Sequence, residues 1–64
     1  MPWSGKELVR LLEKNDWTLD RINGSHHIMK KSGFRNISVP CHGSREVAIG
    51  TAAGILRQAG IKEN

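Results

Sequence analysis

His26-His27-Ile28-Met29-Lys30-Lys31-Ser32-Gly33-Phe34-Arg35-Asn36-Ile37-Ser38-Val39 is the stretch on which the fold turns. His26–Lys31 and Arg35–Val39 read as strands, and Asn36–Val39 alternates polar and apolar residues, the period of a half-buried strand. Lys31-Ser32-Gly33-Phe34 between them reads as a turn. A hairpin folded there pairs Lys31 with Arg35, Met29 with Ile37, and His27 with Val39. Successive strand side chains point to opposite faces. One face then carries His27, Met29, Ile37 and Val39, and the other His26, Ile28, Lys30, Asn36 and Ser38. The first set is apolar enough to pack under helices; the second faces water. Pro40 has no N–H to donate and stops the ladder. A slip of one residue would exchange the two faces, so every statement about His26 depends on this register.

Outward from the hairpin, Asn23-Gly24 is a turn dipeptide that joins it to an earlier strand, Trp17–Ile22. Trp17 and Leu19 fall on the core side of that strand. Ser4-Gly5-Lys6-Glu7 is a capping box, with Trp3 and Leu8 at the two positions of a hydrophobic staple. Leu8, Leu11 and Leu12 then repeat at helical spacing, with Val9 beside them. Asn15-Asp16, both tolerant of left-handed backbone, end the helix. Cys41–Ile49 reads as a loop. A second helix starts near Gly50-Thr51, and Ala52, Ile55, Leu56 and Ala59 share one face. Gly60 sits at the glycine position of a Schellman ending, with Ile61 placed to touch Leu56. The expectation is one α+β domain over residues 1–64. It has two layers, with both helices on one face of a three-stranded antiparallel sheet.

At 64 residues the chain has no room for a deep substrate cavity. A domain of this size buries only ~60% of the surface its unfolded chain exposes. It is expected to bind on its surface, which suits a polymer better than a metabolite. Lys and Arg exceed Asp and Glu by 10 to 6, a formal charge of +4, which favours phosphate-rich or acidic partners. The single cysteine, Cys41, excludes an intrachain disulfide and fits a reducing compartment. There is no leader-like apolar segment and no run near the ~20 residues of a membrane helix. A cytoplasmic protein without membrane contact is expected.

His26, on the open face near Lys30 and Ser38, is either a solvated surface histidine or a general acid or base working near neutral pH. His42 follows the end of the third strand, beside the start of the second. It is either a loop histidine or the partner of His26 in proton transfer. Lys30, Lys31 and Arg35 cluster at the hairpin and form a candidate phosphate-contacting surface; Arg45, Arg57 and Lys62 add charge elsewhere. The adjacent pairs His26-His27 and Cys41-His42 lack the separation of a zinc site, and no metal or cofactor is expected. Nothing activates Cys41 as a nucleophile, so it reads as structural. With Trp3 and Trp17 assigned to packing, only Phe34 is free to stack on a base, too few aromatics for a single-strand platform.

Four stretches together resemble the HicA family of mRNA interferase toxins: Lys6–Leu12, Gly24-Ser25-His26-His27, Val39-Pro40-Cys41-His42, and Gly50-Thr51 through Ile55–Ile61. The likeness covers nearly the whole chain. It implies a double-stranded-RNA-binding-like fold of order α-β-β-β-α, metal-independent cleavage of messenger RNA, and neutralisation by a HicB-like antitoxin. The family's catalytic histidine maps onto His26. Asp16 stands where a glycine often precedes the tryptophan, and Ser32-Gly33 where a proline is common; both are turn positions. The competing readings are a non-catalytic RNA-binding module of the same fold and a domain that binds an acidic protein.

Overall fold

A computed structural model describes residues 3–62. It contains β1 (Trp3–Ser4), α1 (Gly5–Lys14), β2 (Thr18–Asn23), β3 (His26–Lys30), β4 (Ile37–Pro40), β5 (Glu46–Val47) and α2 (Ile49–Gln58). β2, β3 and β4 form one antiparallel sheet in that order. Both helices pack on one face of it, giving the α+β, α-β-β-β-α arrangement expected of a double-stranded-RNA-binding-like fold.

The capping box is present in full. The Ser4 hydroxyl accepts from the Glu7 N–H at 3.2 Å, and the Ser4 N–H donates to Glu7 Oε1 at 2.8 Å. This satisfies backbone donors that a helix start otherwise leaves open. Leu8 and Leu12 are fully buried, with Val9 and Leu11 flanking them. Both helices end in the same way. Asp16 takes a left-handed φ of 72°, and Trp17 N–H donates to Leu12 O; Gly60 takes φ 71°, and Ile61 N–H donates to Leu56 O. Each is a Schellman closure, and each turns the next apolar residue back onto the core. For α1 that residue is Trp17, which is buried and lies 5.4 Å from the Phe34 ring.

The hairpin register is the one expected. Met29 pairs with Ile37, Ile28 with Ser38, His27 with Val39 and His26 with Pro40. Met29, Ile37 and Val39 are buried with Ala52, Ile55, Leu56 and Ala59 of α2 and its C-cap.

Several expectations need correction. Strand β3 ends at Lys30 and β4 begins at Ile37, so Lys31 and Arg35 lie in the connecting loop and do not pair. The β2–β3 turn is Gly24-Ser25, because Asn23 still pairs with His26. The left-handed φ of 64° falls on Gly24, at the first turn position. Leu19 is 43% exposed and Ile22 57%. β2 is an edge strand that lies beyond the cover of the helices, and its register shifts between Leu19 and Arg21. The segment 41–49 is not wholly loop, since Glu46–Val47 pairs with Trp3–Ser4. Helix α2 starts at Ile49, and its N-cap, Ala48, offers no side-chain hydrogen bond.

Candidate active site on the open sheet face

His26 opens β3, the central strand, between Asn23 and Pro40. Its neighbour His27 points to the core side, between Ile22 and Val39 in register, and is half-buried with an Nδ1 that has no partner. His26 itself is exposed. Its Nδ1 lies 3.1 Å from Ser38 Oγ, across the strand pair and two residues along. Buried Ile37 and Val39 on either side force Ser38 outward onto the same face.

His42 reaches this face through a short extension of the ladder. Cys41 N–H donates to Ser25 O at 2.7 Å, carrying the chain one residue past Pro40. The His42 ring then stands edge-on to His26, centroids 6.4 Å apart at 81°. A turn closes behind it, with Arg45 N–H donating to His42 O at 3.1 Å. His42, Arg45, Pro40 and Thr51 help line a depression of about 180 Å3 beside the start of α2.

The expected cations separate. Lys30 shares the open face with His26 but sits four residues along the strand, about 13 Å away. Its ammonium lies 3.8 Å from Asp20, whose other oxygen holds Arg21. Lys31 turns away: its Nζ donates to Asn15 O at the end of α1 at 3.0 Å and lies 5.1 Å from the centre of the Phe34 ring. Arg35 is exposed beside Phe34 and Gln58, at the far end of the hairpin from His26. Burial raises the Cys41 thiol above its ordinary pKa, against a smaller opposing pull from Lys6, so it stays protonated at neutral pH. Among the described residues no three His, Cys, Asp or Glu side chains gather to hold a metal, and no helix is long and apolar enough to cross a membrane.

Alternation alone placed Ser38 on the His26 face, but not its hydrogen bond. Arg45 beside His42 was hidden from the sequence, because the loop carries no periodic signal.

Two exposed imidazoles therefore stand together on the open sheet face with the Ser38 hydroxyl beside one of them, and Arg45 lies near the other. No curated protein matches the chain. The family model described as the HicA toxin of bacterial toxin–antitoxin matches residues 5–61. The chain thus belongs to the HicA toxin family, whose members are the toxins of toxin–antitoxin pairs and have an antitoxin as partner.

Proposed function

We propose that the chain is a metal-independent endoribonuclease that cleaves messenger RNA in the cytoplasm with His26 and His42 as its acid–base pair. The observation that carries this reading is their juxtaposition: two exposed imidazoles 6.4 Å apart on the sheet face left open by the helices. A phosphodiester fits between two such rings, because each nitrogen need only come within about 3 Å of an oxygen on its own side of phosphorus. His26 takes the proton of the 2′-hydroxyl. That oxygen attacks phosphorus, the bond to the 5′-oxygen breaks, and His42 donates a proton to the leaving oxygen. The products are a 2′,3′-cyclic phosphate and a free 5′-hydroxyl. Arg45, next to His42, steadies the phosphoryl charge. Lys30, on the same face farther along the strand, and Arg35, at the far end of the hairpin, add separate positive charge for phosphates away from the cleavage point. A HicB-like antitoxin restrains the activity.

The test is cleavage of RNA in the presence of a chelator by the purified wild type, His26→Ala and His42→Ala. Losing one acid–base group costs ~10²–10⁴-fold in rate, and each variant is expected to fall in that range while keeping its fold. Cleavage at the wild-type rate by His26→Ala would overturn the assignment. RNA that is bound and left whole by the wild type would favour the binding-module reading.

A further inference from the structure

We propose that Ser38 is a positioning residue that holds His26 by Nδ1 and so dedicates Nε2 to the RNA. This rests on the catalytic reading of His26 above. The Ser38 hydroxyl is 3.1 Å from Nδ1, while among the described residues Nε2 has no protein partner. An imidazole on an open strand face would otherwise rotate and present either nitrogen. The scaffold beneath the pair is firm, because Ile37, Val39 and Met29 are buried in the core and fix the backbone of both strands. An exposed hydrogen bond of this kind adds little to stability, since water replaces it. Its value is geometric.

The chemistry suits a hydroxyl. For the first step Nε2 must be unprotonated, so Nδ1–H donates to Ser38 Oγ. After Nε2 takes the 2′-hydroxyl proton, Nδ1 still donates to the same oxygen. The serine therefore keeps its hydrogen bond through the transfer without adding a charge beside the phosphate, as a carboxylate would. In this resting state neutral His26 carries its proton on Nδ1, the reverse of the tautomer that free histidine prefers.

The experiment compares wild type, Ser38→Ala, Ser38→Thr and His26→Ala. It measures kcat and KM for RNA cleavage, thermal stability, and the tautomer of neutral His26 by ring-nitrogen NMR. Ser38→Ala is expected to lower kcat roughly tenfold, about the value of one neutral hydrogen bond, with KM and stability unchanged. Its His26 proton should move to Nε2. Ser38→Thr keeps a hydroxyl on a strand position that tolerates β-branching, so it should restore both kcat and the Nδ1–H tautomer. A Ser38→Ala protein with wild-type kcat and tautomer overturns the proposal, as does a Ser38→Thr protein as impaired as Ser38→Ala. Wild-type cleavage by His26→Ala instead overturns the reading on which the proposal rests, and the tautomer comparison keeps the two failures distinct.

Discussion

Gly5→Ala is expected to destabilise the protein, although alanine is the better helix former. Gly5 is the first residue of α1 and is buried against the end of β4. A methyl group there would lie 2.3 Å from Pro40 O, 2.7 Å from Cys41 Sγ and 2.8 Å from Cys41 Cα. Favourable carbon contacts begin near ~3.5 Å, so the neighbours must retreat by about 1 Å. The thiol can rotate, but the carbonyl cannot, because Pro40 pairs with His26 and Cys41 N–H is bonded to Ser25 O. Overpacking of this kind costs ~1–3 kcal/mol and occasionally more. The Gly-to-Ala gain in a helix interior is at most ~1 kcal/mol and is about half of that at a first position, so the net loss is about 0.5–2.5 kcal/mol. For a chain of 64 residues, total stability is roughly 3–10 kcal/mol, so the loss is a large fraction of it. Urea denaturation should show a lower midpoint with an unchanged slope, and Tm should fall by about 4–8 °C for each kcal/mol. In Gly5→Ala/Cys41→Ala the sulfur clash is removed and the carbonyl clash stays. Relative to Cys41→Ala, the double variant should keep most of the loss. Because Cys41 leads directly into His42, the same displacement should also slow RNA cleavage. A Gly5→Ala protein as stable as wild type, or more so, would refute the packing argument.

Glu7 is held below its ordinary carboxylate pKa by the backbone N–H of Ser4 and then by its hydroxyl. Its folded-state pKa is depressed, so its contribution to stability is present above the unfolded value of 4.5 and is lost as pH falls through the folded value. Between about pH 5 and pH 3, wild type should lose more Tm than Glu7→Gln, which keeps an acceptor for the Ser4 N–H; parallel melting curves would contradict this. Lys31→Met removes the donor to Asn15 O at the end of α1 and should cost about 1 kcal/mol while leaving KM for RNA unchanged. A raised KM at unchanged Tm would instead assign Lys31 to the RNA surface.

The readings that succeeded were local. The capping box, the two left-handed helix endings and the alternation from His26 to Val39 depend on residues close in the chain. Backbone geometry within a few residues decides them. The register followed for the same reason: burying Met29, Ile37 and Val39 together leaves one way to pair the strands, and that register puts His26 on the open face. Only the tertiary structure decided the rest. Leu19 and Ile22 lie on an edge strand that neither helix covers. Trp3–Ser4 pairs with Glu46–Val47 across most of the chain. Lys31 reaches back to Asn15. Gly5 packs against Cys41, and the hydrogen bond from Cys41 to Ser25 brings His42 to His26. These contacts join distant segments through packing. They have no local periodicity, so the sequence by itself specified His26 and its face, set Ser38 on that face and left His42 as one of two readings, and the folded chain supplied the Ser38 hydrogen bond, the ring-to-ring approach of His42 and the place of Arg45 beside it.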